Sequence, residues 1–492
     1  MKNRVFAVAV AIGLVLSSGL GVFADATPVE AKSKKVSISK KKLSLKVGKK
    51  SQLKLKNAVT KKVKWKSSKP KVAKVSKTGL VTAKKQGKAT ITATYKKKKY
   101  TCKVTVKKSE ATPTTPPSDV PGSSQFMLST VMNDLTKTDI SESVNSGSIE
   151  SFRYEMAKAS LAFSLCSGNS ESMKEALERV SFKNFKANDD YYKTPTKDSI
   201  GVACAVRKVD EESIVSVVFR SLNYGAEWAS NMTMGDGTDS EDHKGFSDAA
   251  KKAKPFILDY IKSLENPGKV SIWFSGHSRG AAVANIIAGE FTLAGAEYFK
   301  ENEIDIGAIT AYCYATPKAV SRKKALNQSA KVKGCIHNIV FDRDIVRRIP
   351  PSDFGFDTYG ETRLITPDKS KTEEMEKLLE ELDGDLHLKY TRCEHSAELL
   401  SYLTPGEYVD NAVRDLVRLT KDRKTYTEKY QNAFIFAMMT AFGVGSQFEG
   451  QPDISALTEL GGSLGGYNMD LLTIDHYPEV EYAWMCTLYP FS

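Results

Sequence analysis

Residues 32–108 contain no aspartate, no glutamate and no arginine, although 29 lysines lie among them. The whole chain carries a formal charge of +14 and the charges of the first 31 residues cancel, which leaves −15 for residues 109–492. With no acidic residue beside them, the lysines indicate a polyanionic partner, such as an anionic cell-wall polymer or an acidic lipid surface. The alternative is a lysine coat that only keeps the segment soluble. No aromatic stacking platform accompanies the lysines, so we expect no nucleic-acid partner.

The cysteine pattern excludes the common structural metal sites. The chain has seven cysteines, an odd number, and they are widely scattered without a Cys-x-x-Cys pair or a Cys/His ligand spacing. We therefore expect no metal site and no cofactor. Nothing in the spacing defines a disulfide framework.

Long apolar runs are missing beyond the N terminus, so we expect no transmembrane segment in the mature chain. Residues 1–26 have a basic start, a short apolar run over residues 5–16 and the small-residue site Ala24-Asp-Ala26, with residues 29–31 as a second cleavage candidate. This pattern predicts a signal peptide, since the apolar core is short for a membrane anchor. The sequence therefore predicts a secreted or cell-surface protein.

Apolar residues alternate with lysine, serine and threonine through residues 32–108, and turn signals such as Thr78-Gly-Leu80 interrupt them. An alternation in which every second residue is apolar places the apolar side chains on one face of a strand. This pattern predicts short antiparallel strands in a small β-sandwich. The Trp65-Lys-Ser-Ser68 and Gly87-Lys-Ala-Thr-Ile91 elements resemble the group 2 bacterial immunoglobulin-like domain. That resemblance implies a spacer or adhesive unit at the cell surface.

A Pro/Ser/Thr-rich linker, residues 109–124, separates this segment from residues 125–492, in which strands and helices alternate. Continuous apolar strands alternating with helices predict a mostly parallel sheet covered on both faces. We expect helices at 148–167, 170–180 and 246–264, a hairpin of strands at 200–209 and 214–219, and buried strands at 309–314 and 335–341.

The sequence around Ser278 is organised as a strand, a sharp turn and a helix. The apolar run 270–274 leads into Gly276-His-Ser-Arg-Gly280, and an Ala-rich helical run follows. Gly-x-Ser-x-Gly in this context is typical of a nucleophile elbow, where the turn leaves no room for side chains two residues before and after the serine. The pattern predicts Ser278 as a nucleophile in an α/β-hydrolase arrangement, with Gly276 and Gly280 forming the elbow. A glycine-rich turn with an incidental serine is the alternative.

A nucleophilic serine needs a histidine base and a carboxylate that orients it, and in α/β-hydrolases the acid follows a strand after the elbow. The strand ending at Phe341 is followed by Asp342 and Asp344. We favour Asp344 as the acid. Asp342 is the alternative acid, although we expect it to form a surface ion pair with Arg343 instead.

Four blocks between residues 217 and 351 resemble the class 3 lipases, a family of fungal triacylglycerol lipases and bacterial relatives. The blocks are Phe219-Arg-Ser-Leu222 with Trp228 beyond it, His243-Lys-Gly-Phe246, the elbow, and the paired segments 310–317 and 344–350. The resemblance implies a secreted serine ester hydrolase with Asp344 as the acid.

The histidine of this family lies near the C terminus, before an aromatic-rich end that residues 474–484 resemble. The resemblance therefore implies His476 as the base. His387 and His395 also follow Asp344 in the chain and are the competing residues.

An oxyanion hole needs two N–H donors, and the backbone of Arg279, at the start of the elbow helix, supplies one. The resemblance places the second at Leu222, where the family has threonine or serine, while Ser221 replaces the usual glycine. The backbone N–H of Leu222 can still donate but its side chain cannot, and loss of one such donor can cost about 3 kcal/mol. We therefore expect that the enzyme is slow, that Ser221 serves as the second oxyanion donor, or that a different ester is preferred. A protein without catalytic activity is the remaining alternative.

Residues 353–403 are longer than a connection requires. Met375, Leu378, Leu379 and Leu382 form an apolar helical stripe there. The stripe predicts either a lid that opens toward lipid or a helix that packs on the main core, and we favour the core.

Three functions fit these patterns. The first is a hydrolase acting on lipid esters, acylglycerols or phospholipids, through a Ser-His-Asp triad and an acyl-enzyme. The second is an esterase acting on acylated or feruloylated polysaccharides, because feruloyl esterases share this family. The third is a non-catalytic surface or adhesive protein that uses a hydrolase domain as a scaffold, which the substitution at Leu222 favours.

Overall fold

The computed structural model describes residues 36–46, 50–56, 58, 63–85, 87–107, 125–137, 149, 151–194, 196–222, 227–235, 241–396, 404–441, 448 and 452–489. They fall into two compact units, one within residues 36–107 and the other within residues 125–489. The expected signal peptide, 1–26, and the expected linker, 109–124, lie outside the described residues. None of the described helices is long and apolar enough to cross a membrane.

The first unit is built of short strands. They are β1 Ser37–Ile38, β2 Lys42–Lys46, β3 Lys50–Gln52, β4 Leu55–Lys56, β5 Lys64–Ser67, β6 Ala73–Val75, β7 Leu80–Ala83, β8 Gly87–Tyr95 and β9 Lys98–Lys107. Among the described residues the sheet orders are β2-β9-β8-β5, β3-β7-β6 and β1-β4.

Alternation of side chains explains how this unit folds. Every second residue of β8 from Ala89 to Tyr95 is buried, and the residues between them face outward. Since successive side chains of a strand point to opposite faces, the apolar parity forms a core that includes Leu53, Val81 and Ile91. The predicted β-sandwich is confirmed, but the expectation of antiparallel strands alone is wrong, because β2 pairs in parallel with β9.

The second unit alternates helices and strands. Its elements are α1 Gln125–Lys137, α2 Tyr154–Cys166, α3 Ser170–Arg179, β10 Lys183–Ala187, α4 Asp189–Lys193, β11 Val202–Val209, β12 Glu212–Phe219, α5 Glu227–Asn231, α6 Lys244–Lys262, β13 Lys269–His277, α7 Arg279–Glu301, β14 Ile306–Tyr314, β15 Val320–Ser321, α8 Arg322–Leu326, α9 Ala330–Cys335, β16 Ile336–Phe341, β17 Phe356–Asp357, β18 Glu361–Ile365, α10 Thr372–Leu382, α11 Gly384–Glu394, α12 Pro405–Thr420, α13 Arg423–Thr425, α14 Gln431–Ala441, α15 Ile454–Leu464, α16 Met469–Thr473 and α17 Pro478–Leu488.

Within the described residues, seven strands form the main sheet in the order β10-β11-β12-β13-β14-β16-β18. The strands from β12 to β18 pair in parallel, whereas β10 and β11 pair antiparallel at one edge. The predicted hairpin of β11 and β12 is confirmed. The main sheet is therefore mixed, with an antiparallel edge that the sequence patterns only partly predicted.

Helices cover both faces of this sheet, as the apolar strands predicted. Along β13, Ile272 and Phe274 pack with helices α6 and α7 on one face. Trp273, between them, lies on the opposite face and packs against Phe163 of α2, in a core cluster that also contains residues of α10 and α17. A strand buried on both sides in this way is typical of α/β folds, and the α/β-hydrolase arrangement is confirmed.

The apolar stripe of α10 lies in the main core. Met375, Leu379 and Leu382 are fully buried, and Leu378 is partly buried against the same cluster, which includes residues of α1 and α17. In this structure the stripe therefore stabilises the domain core and is not exposed as a lid surface.

Candidate active site

The elbow serine occupies the turn between β13 and α7 in a conformation that few L-residues adopt. Ser278 has φ 55° and ψ −121°, and it is the N-cap residue of α7. Its backbone N–H donates to the carbonyl of Tyr314 (2.9 Å), and its carbonyl accepts from the N–H of Ala282 (3.0 Å). Such a backbone costs about 1–3 kcal/mol and persists only where its surroundings fix it. The strand and the helix together hold the serine in this strained turn.

Glycine is required at positions 276 and 280 because other atoms approach the Cα atoms of these residues closely. A Cβ on Gly276 would collide with the backbone of Gly280, and a Cβ on Gly280 would lie 2.6 Å from Oγ of Ser221. A larger residue at position 276 would require the backbone to move, and one at position 280 would displace the hydroxyl of Ser221, so the steric reason given for the Gly-x-Ser-x-Gly spacing holds in the structure.

The structure brings Ser278, His476 and Asp344 together. Nε2 of His476 lies 2.9 Å from Oγ of Ser278, and Nδ1 lies 3.1 Å from Oδ2 of Asp344. Asp344 is fully buried, and its other oxygen accepts the backbone N–H of Val346 at 2.8 Å. His476, in a 3₁₀ turn formed by Ile474–His476, retains partial access to solvent. An imidazole bonded to a hydroxyl and to a buried carboxylate can take the hydroxyl proton and hold the resulting positive charge.

The competing residues lie elsewhere. Asp342 is partly exposed and pairs with Arg347 (2.7 Å) and Arg348 (3.3 Å), so the expected surface pair between Asp342 and Arg343 is wrong. His395 is exposed just after α11, where Nδ1 lies 2.8 Å from the carbonyl of Thr391.

His387 lies on α11, with Nε2 3.4 Å from Oγ1 of Thr391. Its bond is local to that helix. Neither alternative histidine takes the position that His476 occupies between a serine and a carboxylate.

Ser221 is committed to holding the elbow. Its Oγ accepts the backbone N–H of His277 (2.9 Å) and donates to the carbonyl of Phe219 (2.9 Å). Its own N–H donates to Oγ of Ser167, which follows α2 (2.9 Å). Because the hydroxyl is already occupied, Ser221 is a poor substitute for a missing oxyanion donor. Leu222 follows it directly and is half-buried, whereas residues 223–226 lie outside the described part.

Two arginines fix the backbone around this segment. The guanidinium of Arg220 forms an ion pair with Glu227, the first residue of α5, and both side chains are buried. The side chain of Arg279 donates to Oδ1 of Asn231 (2.8 Å) and to the carbonyl of Ser199 (3.1 Å). These bonds tie α5 to the strand end on one side and to the first turn of α7 on the other.

An apolar cluster accompanies α5. Met232, directly after the helix, and Ile435 of α14 are buried, and partly buried apolar side chains surround them. Those side chains are Trp228, Ala229, Phe434 and Phe448. The hydrogen bond from Arg279 to Asn231, the last residue of α5, links the helix that carries this cluster to the start of α7.

Sequence reasoning missed a buried pair behind His476. The ring of His277 lies 4.9 Å from the ring of His476, and Nε2 of His277 lies 3.5 Å from a carboxyl oxygen of Glu481. Burial lowers the pKa of His277 well below its ordinary value, and the charge of His476 acts in the same direction. Burial, with the charges of Asp344 and Asp475, raises the pKa of Glu481 well above its ordinary value. Both shifts favour the uncharged forms of the two side chains behind His476.

The described residues contain no group of three or more His, Cys, Asp or Glu side chains that could hold a metal ion. All seven cysteines lie in the described part, and all are free thiols.

The family comparison agrees with the blocks around the elbow. Residues 216–354 match the sequence profile of the class 3 lipases, and residues 32–106 match that of the group 2 bacterial immunoglobulin-like domains. The second unit carries a class 3 lipase domain. Over 176 residues the chain is 26% identical to a lipase of Rhizomucor miehei. The matched segment covers 34% of this chain and 46% of that lipase. The chain thus spans about half the length of this curated relative.

Solved structures similar to the lipase domain include fungal lipases. A fungal lipase–inhibitor complex is 21% identical, a triacylglycerol lipase described as having a serine protease triad is 20% identical, and the lipase of Rhizopus microsporus var. chinensis is 18% identical. They cover 44%, 44% and 53% of this chain and 80%, 80% and 86% of their own, with TM-scores of 0.33, 0.32 and 0.28. Because these scores lie below 0.5, the fold assignment follows from the strand order and the family match.

Proposed function

We propose that this protein is a serine hydrolase that cleaves carboxylic esters of lipids, acylglycerols or phospholipids. The observation that carries the proposal is the pair of hydrogen bonds made by His476, to Oγ of Ser278 at 2.9 Å and to Oδ2 of Asp344 at 3.1 Å. A serine at a strained strand–helix turn with this base and acid has the parts that acyl transfer requires.

The reaction that follows from this geometry has two halves. Oγ of Ser278 attacks the ester carbonyl as Nε2 of His476 takes its proton, and the backbone N–H groups of Arg279 and Leu222 donate to the oxyanion. The tetrahedral intermediate collapses, and His476 gives the proton to the departing alcohol. Water, activated by the same imidazole, then attacks the acyl-enzyme and releases the carboxylic acid, which restores Ser278.

The apolar cluster between α5 and α14 supports lipid esters as the substrates. The cluster around Met232 and Ile435 joins α5 to α14, and Arg279 links the end of α5 to the start of α7. We infer that an acyl chain on Ser278 extends toward this cluster, where each buried methylene group would contribute about 0.8 kcal/mol. The Rhizomucor miehei relative is itself named a lipase.

A series of p-nitrophenyl esters from acetate to palmitate, with triacylglycerol and phospholipid emulsions, tests this proposal on the full chain. We expect kcat/KM to rise from acetate to medium-length chains by up to about fourfold for each methylene that is buried, which is the rate equivalent of about 0.8 kcal/mol. Feruloyl and acetylated polysaccharide esters are run at matched concentrations. Preferential turnover of those would assign the polysaccharide reaction instead, and no turnover of any ester would make the domain a non-catalytic scaffold.

We further propose that residues 32–108 hold a secreted or surface protein against an anionic cell-wall polymer or lipid surface. Every lysine in residues 36–107 whose side chain is described is exposed, which includes Lys96, Lys97, Lys98 and Lys99 at the turn between β8 and β9. Clustered exposed lysines attract polyanions by charge rather than by shape, so the attraction is screened beyond about 8 Å at physiological salt.

Changing Lys96, Lys97, Lys98 and Lys99 together to glutamine should weaken retention on phosphatidylglycerol vesicles and on purified walls at least tenfold at low salt. The reason is that one lysine near an anionic surface contributes on the order of 1 kcal/mol. Co-sedimentation at low and high salt measures the effect.

The matched control removes the same charge from the lipase domain at exposed lysines, which are Lys251, Lys300, Lys323 and Lys333. It should bind like the unmodified protein. Binding that is insensitive to salt, or equal loss in both variants, would contradict a role for the lysines of the first unit.

A further inference from the structure

A buried ion pair links the two loops that carry Asp344 and His476. Nε and Nη2 of Arg343 donate to the two carboxyl oxygens of Asp475 at 3.0 and 2.7 Å. Both side chains are almost completely buried. Arg343 directly precedes Asp344, and Asp475 directly precedes His476.

The guanidinium is held on its other sides as well. Its Nη1 forms an ion pair with Glu394, the last residue of α11, and it lies 5.6 Å from the ring centroid of Tyr390. Burial opposes the charge of Arg343, but Asp475 and Glu394 outweigh it and hold the pKa of Arg343 well above its ordinary value. A guanidinium fixed in this way cannot turn without breaking several charged contacts.

A fork of two parallel hydrogen bonds fixes both distance and orientation, which a single hydrogen bond or a lysine does not. Buried ion pairs contribute little net stability, because desolvation offsets their attraction, so their retention needs a reason other than stability. In this chain the fork joins the neighbour of the acid to the neighbour of the base. A displacement of about 1 Å between reacting groups can cost 10²-fold in rate.

We propose that Arg343 and Asp475 are positioning residues that set the separation between Asp344 and His476. This inference rests on the proposed Ser278–His476–Asp344 reaction. Arg343 and Asp475 do not touch the substrate. They act by holding Nδ1 of His476 against Oδ2 of Asp344 while the imidazole gains and loses its proton.

Asp475→Asn and Arg343→Lys in the full chain should each lower kcat about 10- to 100-fold with KM changed less than twofold. The matched control is Asp342→Asn, which alters a partly exposed carboxylate in the same loop that pairs with Arg347 and Arg348, and it should stay within twofold. The Ser278→Ala variant is assayed beside them. Ester turnover in the wild type that does not depend on Ser278 would overturn the proposed function, whereas Ser278-dependent turnover with unaffected Asp475→Asn would overturn only the positioning role.

An apolar replacement of the pair separates positioning from stability. The variant Arg343→Met with Asp475→Leu and Glu394→Gln removes the guanidinium and both of its carboxylate partners, so no unpaired ion remains buried and the melting temperature should stay near that of the wild type. Its kcat should nevertheless remain at least tenfold low, because the directional fork is gone. Recovery of both melting temperature and kcat would overturn the proposal. So would unfolding of every variant, since the pair would then be a requirement for folding.

Discussion

Replacement of Ser278 by alanine should abolish ester hydrolysis, with kcat reduced by about 10⁴-fold or more. The substitution removes the only atom that can form the acyl-enzyme at this elbow, while His476 and Asp344 keep their own hydrogen bond. Steady-state kinetics with the best p-nitrophenyl ester measures the loss. A fluorophosphonate probe should label the wild type at Ser278 and leave the variant unlabelled.

Ser275→Ala is the matched control for this experiment. Ser275 lies on the same strand, and its hydroxyl bonds to Oγ of Ser160 at 3.0 Å, away from the proposed triad. We expect activity within about twofold of the wild type. Labelling at a different serine, or an active Ser278→Ala variant, would show that the nucleophile has been assigned to the wrong residue.

Replacement of His476 by alanine should reduce kcat to a similar extent, whereas His395→Ala should leave it nearly unchanged. His476 bridges the serine and the buried carboxylate, but His395 is exposed and bonds to the backbone of its own helix. Because members of a triad act as a unit, adding His476→Ala to Ser278→Ala should cost little more than either alone. Kinetics of the three variants, with circular dichroism to verify folding, measures both effects.

The opposite result would be informative for the same two histidines. A dead His395→Ala variant beside an active His476→Ala variant would show that the base is His395 and that the assignment of His476 is wrong. Additive losses in the double variant would mean that Ser278 and His476 act in separate steps.

Local sequence patterns were sufficient for most of the fold. Continuous apolar strands predicted a sheet covered on both faces, and β13 with Trp273 on one face and Phe274 on the other has that structure. The elbow could be predicted because its requirement is local and steric, as the close approach of Gly276 and Gly280 demonstrates. The catalytic roles of Ser278, Asp344 and His476 remain predictions that the experiments above test.

Long-range partners could not be predicted from the same patterns. Arg343 was expected to pair with its neighbour Asp342, yet its partners are Asp475 and Glu394, more than fifty residues away. The adjacency of Arg343 to Asp344 and of Asp475 to His476 was the available signal. Its meaning depends on how the chain brings the two loops together, which periodicity and spacing do not encode.

Ser221 and α10 illustrate a second limit. The substitution at the glycine position of the family motif suggested an alternative oxyanion donor, but the hydroxyl of Ser221 is bonded to His277 and Phe219. The stripe of α10 has the amphipathic period of a lid and of a core helix alike, so the pattern alone cannot distinguish them. In both cases the role of the side chains depends on contacts with distant parts of the chain, which the local pattern does not contain.

The buried thiols make this protein convenient for site-directed labelling. Burial raises the pKa of Cys166 and of Cys486 to about 12 and that of Cys393 to about 11, far above the value near 8.5 of an exposed thiol. Because the thiolate is the reactive form, maleimides and nitroxide reagents should modify an introduced surface cysteine much faster than these native ones. Spin labels on Lys97→Cys and Lys300→Cys, one in each unit, would therefore report an interdomain distance in a chain that keeps all its native cysteines.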